Sequence, residues 1–365
     1  MIAAEPMPEA ASDAATPLPA QASANTHRNK AIDGWRGVAA TCVVIVHAAD
    51  YRFATVPGIA LHYVQRLAEP IAEIGVQIFF CISGAIITSL LLREEQATRR
   101  VSIWAFYARR TCRILPPLFV YLGVVAITRQ IGLIDLPISS LVGAASFTCN
   151  TGLAECAWFT AHTWSLAVEE QFYLAWPMLF VLLPARWRAS FLVSVLVLLT
   201  AVEAIRVPVF HSNPTSFACI AIGALYAVSE PFRQALAKAT NAWLWCAVVV
   251  LLLLNQFLGF QFIARIGLPL LIMYLVFAGN RLVYVRSFLE SRPLQVLGAA
   301  SYSLYLWQQL FLAKPEQYLL GTPSLFLLPL AVGLSVFAVE RPFIRLGHGL
   351  SARLKARSQP ATTPA

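Results

Sequence analysis

Apolar stretches of about 15–23 residues recur along nearly the whole chain, each close to the length an α-helix needs to cross the roughly 30 Å hydrocarbon core of a bilayer. Ten of them fall near residues 33–50, 70–92, 114–131, 165–184, 190–205, 214–229, 243–259, 265–280, 294–312 and 323–340. Over 365 residues the chain is 58% hydrophobic and only 12% charged. An average soluble domain carries roughly 25% charged residues, so no soluble class fits. The expected fold is all-α: a polytopic membrane helix bundle of about ten transmembrane helices, both termini cytoplasmic, with the lipid bilayer as its first partner.

A net charge of +9 raises the question of a nucleic-acid partner, and the placement of the charges argues against one. With the N-terminus inside, 20 of the 27 Lys and Arg residues fall in inner segments. The outer loops hold only Arg52, Arg66, Arg129, Arg206, Arg265 and Lys314, while Arg36 lies within a span. That bias follows the positive-inside rule, so the basicity is a topology signal and points to the inner (cytoplasmic) membrane. Residues 1–30 are rich in Ala, Pro and Ser and lack the basic start and apolar core of a signal peptide. They read as a disordered cytoplasmic tail, residues 31–346 as one membrane domain, and 347–365 as a disordered, basic cytoplasmic tail. No soluble catalytic module and no repeat of fixed period are evident.

Cys42, Cys81, Cys219 and Cys246 sit in apolar spans, and Cys112 lies at the inner edge of the third. Cys149 and Cys156 share the longest outer connection, Gly132–His162. An oxidising exterior could join them, or they remain free loop thiols. Within the same connection Pro137–Phe147 is apolar but too short to span, which suits a re-entrant or surface-lying segment. No Cys/His spacing resembles a zinc site, and no metal is expected.

Four polar clusters interrupt the apolar scaffold. In the first, Arg36 follows Asp33-Gly-Trp, and His47 comes eleven residues later, about three helical turns and 16 Å along the same face. An interfacial anchor and a hydrogen-bonded core histidine would explain the two singly; their shared face suggests a lined path with a proton-handling group inside the membrane. The second cluster, His162-Thr-Trp-Ser165-Leu-Ala-Val-Glu169-Glu170-Gln-Phe-Tyr173, brings two carboxylates into a span from outside. Glu170 reaches about 10 Å below the outer boundary, a depth similar to that of His47, so the two are expected to meet, the carboxylate fixing the imidazole tautomer. In the third, Arg110 and Arg113 share a helix face at an inner mouth, which topology alone explains but which also suits bidentate binding of phosphates. The fourth joins Gly75-Val-Gln77…Ser83-Gly84 to Ser301-Tyr302-Ser-Leu-Tyr305-Leu-Trp307-Gln308-Gln309. Close helix packing is its default reading, with Tyr and Gln groups able to line the same cavity.

Taken in order, these strings resemble the acyltransferase 3 family of integral membrane acyltransferases. The resemblance runs from Ile32 to about Arg345 and is completed by Val339-Glu-Arg-Pro-Phe343. It implies a helical bundle that takes an acyl group, usually acetyl, from a cytoplasmic acyl-CoA and passes it to a hydroxyl of a carbohydrate or glycolipid. No bound cofactor is implied, since acyl-CoA is the donor substrate. Arg36 and His47 match the family's essential Arg/His pair, and Arg110 and Arg113 its paired arginines. Gln77 stands where an Asp is frequent and Gln308 where a His often follows the Trp, so neither position is assigned a role. A stand-alone member of this kind is expected to act on exopolysaccharide, lipopolysaccharide, lipid-linked sugars or small glycosides.

The mechanism expected is O-acyl transfer, with His47 as general base and Glu170 orienting it, and with Arg36, Arg110 and Arg113 holding the donor's phosphates. Asp33, Glu169, His162, Ser165 and Tyr302 are expected to support them. A covalent acyl-histidine relay is a variant of the same chemistry. The competing class is a transporter or flippase for a sugar or lipid-linked sugar, whose cavity also needs buried polar groups; the lack of an inverted repeat weighs against it.

Overall fold

The computed structural model describes residues 29–53, 59–205, 214–254, 261–321, 323 and 325–358. Among them fifteen α-helices account for nearly all the structure. The first group is α1 (Lys30–Phe53), α2 (Ile59–Thr98), α3 (Ile103–Gln130), the short α4 (Ile138–Ala145) and α5 (Trp158–Ala161), then α6 (Thr163–Leu182) and α7 (Ala185–Ile205). There follow α8 (Pro214–Val228), α9 (Glu230–Ala239), α10 (Ala242–Leu254), α11 (Gln261–Gly279), α12 (Val283–Leu289) and α13 (Arg292–Phe311). The last are α14 (Leu327–Leu334) and α15 (Arg341–Ser358), joined by a π-helical segment at Ser335–Glu340. The fold is all-helical, as its composition requires.

Each of the ten apolar segments overlaps a helix. Among the described residues five stretches are long and apolar enough to cross a membrane: Lys30–Ala49, Pro70–Thr98, Ile103–Gln130, Ala185–Ile205 and Leu327–Ala356. The number reaches seven if each of two bent pairs is one span, α8 with α9 at 100° and Ile266–Gly279 with α12 at 89°. Helices α6 and α13 fall outside this group for a physical reason. Glu169, Glu170 and Gln171 in the one, and Ser301, Ser303, Gln308 and Gln309 in the other, break their apolarity. Helix α10 is only 13 residues long.

Side-chain-free crossings hold the bundle together. A Cβ on Gly84 of α2 would strike the Ile220 carbonyl of α8, and one on Gly223 of α8 would strike the Cys81 carbonyl of α2. The same reciprocity joins α1 to α13, where Gly37 lies on the Leu294 carbonyl and Gly298 on that of Asp33. Gly34 adds a contact with the carbonyl of Leu289 at the end of α12. In lipid, apolar helices gain nothing from excluding water, so close backbone approach is what brings them together. Trp35 adds a directed contact, its indole N–H donating to Asn280 Oδ1 at 2.9 Å.

At one end of the bundle Arg188 forms a two-pronged ion pair with Glu95 (2.6 and 2.7 Å), and Lys355 pairs with Glu94 at 2.8 Å. These contacts correct the expectation of a disordered tail from residue 347. Residues 347–358 continue α15, with Gly347 against Cys112 of α3 and Ser351 bonded to Arg109. Cross-helix pairing, invisible in a composition that looks like a basic tail, orders it. The expected 1–30 tail and residues 359–365 lie almost wholly outside the described residues. At the opposite end Cys149 and Cys156 form a disulfide, which decides between the two readings of these thiols. It closes a loop packed on α4, where Ser140 Oγ donates to the Glu155 carbonyl (2.7 Å) and accepts from the Ala157 N–H (3.1 Å).

These crossings make a direct prediction. Gly223→Val should lower the melting temperature of the detergent-solubilised protein, at a cost of about 1–3 kcal/mol for forcing backbones apart. Gly123→Ala, where nothing lies within 4 Å of an added Cβ, should leave it unchanged. Equal melting temperatures for the two variants would contradict the packing described.

Candidate active site

A cleft of roughly 1000 Å³, open mouth included, runs between α1, α2, α3, α6 and α13. Its chemistry differs at its two ends. Helix α6 sets the scale: His162, just before its first turn, and Glu169 are seven residues apart, about 10 Å along the axis.

At one end Arg36 from α1 and Arg110 and Arg113 from α3 line the cleft. Arg36 lies one turn after the buried Asp33 and within electrostatic reach of Arg113 and Glu169. The Arg110 guanidinium lies over the rings of Phe106 (5.8 Å) and Tyr173 (5.4 Å), an arrangement that stabilises a cation away from water. Glu169 is the carboxylate that faces this end. Its Oε1 accepts from Ser83 Oγ at 2.6 Å and its Oε2 from Tyr173 OH at 3.1 Å, within reach of Arg36 and Arg110. Three guanidinium groups, two of them with carboxylates in electrostatic reach, converge here, and they could exchange those carboxylates for an anionic ligand. Tyr302 also lines the cleft, but its hydroxyl is taken up by the Ile114 carbonyl at 2.7 Å.

At the other end His162 is 3% exposed, and its ring is flanked edge-on by Tyr121 of α3 and Tyr305 of α13. Ser165 Oγ and Tyr305 OH share a hydrogen bond of 2.7 Å, and Tyr305 OH also reaches the His162 carbonyl. Nδ1 of His162 lies 2.5 Å from Gln309 Oε1. His47 comes to this same end of the molecule. Its ring packs edge-on against Trp158 at 5.3 Å, and the Trp158 indole N–H donates to the Gln309 carbonyl at 3.1 Å.

Of the residues singled out from the sequence, Arg36, Arg110, Arg113, Glu169, His162, Ser165 and Tyr302 line one cleft. His47, Glu170 and Asp33 are not among its lining residues. The expected meeting of His47 and Glu170 is not formed. Glu170 lies eight residues along α6 from His162, near Glu169 and Arg110, with its buried Oε1 lacking a hydrogen-bond partner among the described residues. A similar depth measured on two separate helices did not specify which faces would turn toward each other. Ser83, Tyr305 and Gln309 were not named individually as site residues: packing was the default reading of their cluster, with its Tyr and Gln groups able to line the cavity, as Tyr305 does. Trp158 lay in a loop without helical periodicity and carried no signal at all.

These features define a polytopic helical protein whose interior cleft is cationic at one end and carries imidazole at the other. The chain belongs to the acyltransferase 3 family: the family model described as an acyltransferase domain matches residues 29–339. YrhL of Bacillus subtilis (strain 168), whose name assigns it provisionally to peptidoglycan O-acetylation, is 27% identical over 73% of this chain and 48% of its own. The O-acetyltransferase OatA of Staphylococcus aureus (strain NCTC 8325 / PS 47) is 26% identical over 64% of this chain and 45% of its own. The peptidoglycan O-acetyltransferase OatA of Listeria monocytogenes is 25% identical over 76% and 48%. The chain thus spans about half the length of the curated relatives it matches. No solved structure matches it.

Ser83→Ala removes the donor to Glu169 Oε1 and should destabilise the protein by about 1–3 kcal/mol, the cost of a buried acceptor left unsatisfied. Thermal unfolding in detergent reads it. An unchanged midpoint would mean that water from the cleft already solvates this carboxylate.

Proposed function

We propose that the protein is a membrane-embedded O-acyltransferase, moving an acetyl group from acyl-CoA to a hydroxyl of a cell-envelope carbohydrate. The observation that carries the reading is one continuous cleft with arginines at one end and a histidine at the other. Arg36, Arg110 and Arg113 would receive the donor's phosphate groups, because guanidinium forks match phosphate oxygens two at a time. Glu169 and Glu170 balance these cations when no donor is bound. His47 and His162 form the end at which the acceptor hydroxyl loses its proton, a step to which a positioned base contributes about 10²–10⁴-fold.

The relatives named for peptidoglycan O-acetylation support a polymeric sugar of the envelope as the acceptor class. In this reading the chain lies in the inner membrane with about ten spans, its polar-loaded helices α6 and α13 included, and both termini cytoplasmic. The membrane domain is 31–346 extended by α15, and the donor enters from the inner face at Arg110 and Arg113. A thioester at the arginine end and a sugar at the histidine end would then meet within the cleft.

Purified protein incubated with radiolabelled acetyl-CoA and peptidoglycan fragments or lipid-linked sugars tests the proposal. Label should appear in the glycan as ester, and His47→Ala should lower transfer by at least 100-fold at unchanged melting temperature. Arg110→Gln and Arg113→Gln should each raise the donor KM about tenfold or more, since a hydrogen bond to a charged group is worth about 1.5–3 kcal/mol. Movement of the sugar across vesicles without consumption of acetyl-CoA would instead establish a flippase.

A further inference from the structure

Helix α3 carries Arg109, Arg110 and Arg113 close together in its first half, and of these only Arg110 and Arg113 line the cleft. Like charges three and four positions apart on a helix repel one another, so this segment needs both a counter-charge and a fixed rotation. Glu94, one turn before the end of α2, supplies both. Its Oε1 accepts from Lys355 Nζ of α15 at 2.8 Å and from the Ser102 backbone N–H at 3.2 Å, and its Oε2 lies 3.5 Å from a guanidinium nitrogen of Arg109. The Glu94 side chain is 10% exposed against 24% for Arg109 and 39% for Lys355, so the carboxylate is the buried centre of the cluster.

One carboxylate thereby holds three neighbours that bear on α3. Ser102 is the residue at which α3 begins, its Oγ accepting from the Ala105 N–H at 3.4 Å. Arg109 is held on the side of α2 and α15, because its guanidinium also donates to Ser351 Oγ of α15. Gly347 of α15 sits against Cys112 and the Ala108 carbonyl, so the same face of α3 rests on α15 with no side chain between them. Successive helical residues turn by about 100°. With Arg109 fixed in this way, Arg110 is carried round to the rings of Phe106 and Tyr173, and Arg113 follows one turn after it.

We propose that Glu94 is a positioning residue for donor binding: it sets the start and rotation of α3 so that Arg110 and Arg113 present their guanidinium groups to the phosphates of acyl-CoA. The inference rests on the acyl-transfer reading above and deepens it. Its sign separates it from simple electrostatics. Removing a negative charge beside the arginine end would, by its field alone, favour a polyanionic donor. Losing the alignment does the opposite, since guanidinium forks must meet phosphate oxygens in a fixed geometry.

The full chain in lipid nanodiscs tests this with a glycan acceptor and two donors, acetyl-CoA and S-acetylpantetheine, which has the thioester but no phosphate. Glu94→Gln keeps an acceptor for the Ser102 N–H and loses the charge. It should raise the acetyl-CoA KM about tenfold with kcat nearly unchanged, and leave the acetylpantetheine KM where it is. A role confined to stability would move both donors alike. CoA titrated without acceptor should bind this variant about tenfold more weakly than the parent. Adding Arg109→Gln to Glu94→Gln should raise the donor KM little further, because both break the same link. Glu94→Asp, which keeps the charge but withdraws it by one methylene, should show a smaller rise and decides the matter if Glu94→Gln does not fold. An acetyl-CoA KM at or below the parent's in the folded variants, or an equal rise for acetylpantetheine, overturns the positioning role while leaving acyl transfer standing. A parent protein that consumes no acetyl-CoA removes the acyl-transfer reading and this inference together.

Discussion

Backbone-to-backbone contact at glycine is the constraint on which the rest of the structure depends. Helices surrounded by lipid tails gain nothing by hiding apolar surface from one another, so their order follows from where they can approach most closely. Gly84 and Gly223 lock α2 to α8, and Gly37 and Gly298 lock α1 to α13. Gly75 of α2, set against the Ala39 carbonyl of α1, ties the two seams to each other. They bring Arg36, Ser83 and Tyr305, three residues from distant parts of the chain, to the wall of a single cleft.

Within that frame, polar groups obey a strict rule, because a charge taken out of water must be balanced or neutralised. The arginine end meets it with Glu169, itself held by Ser83 and Tyr173, and with the aromatic faces around Arg110. The histidine end meets it with neutral groups: Tyr305 on Ser165, Trp158 on Gln309, and Gln309 on His162. The division suits a reaction in which a polyanionic donor and a neutral sugar meet. Under the function proposed, the guanidinium end would attract the donor and the uncharged end would receive the acceptor.

Much of the site was legible because intramembrane polar residues are rare and stand out. Arg36, Glu169 and His162 stood out in that way, Arg110 and Arg113 by their shared helix face and the family resemblance, and all five line the cleft. The His47–Glu170 pairing was not legible, since depth along a helix says nothing of rotation between two helices. One residue of difference, Glu169 against Glu170, turns a side chain by about 100° and decides which carboxylate faces the arginines. Gln309 was read as packing because an amide announces no chemistry until its partner is known. The order of residues 347–358 was missed because their stabilising groups, Glu94 and Arg109, lie far away in the chain.

Sequence by itself determined the helical membrane class and the set of residues able to carry charge or protons. Periodicity, hydropathy and the cost of ionisable groups in lipid are local properties that each segment carries alone. Tertiary structure alone decided which of those residues share a cleft, which carboxylate is bonded, and which partner His162 takes. Those are properties of contacts between helices, and the partner of His162 in particular, Gln309, lies almost 150 residues away in the chain.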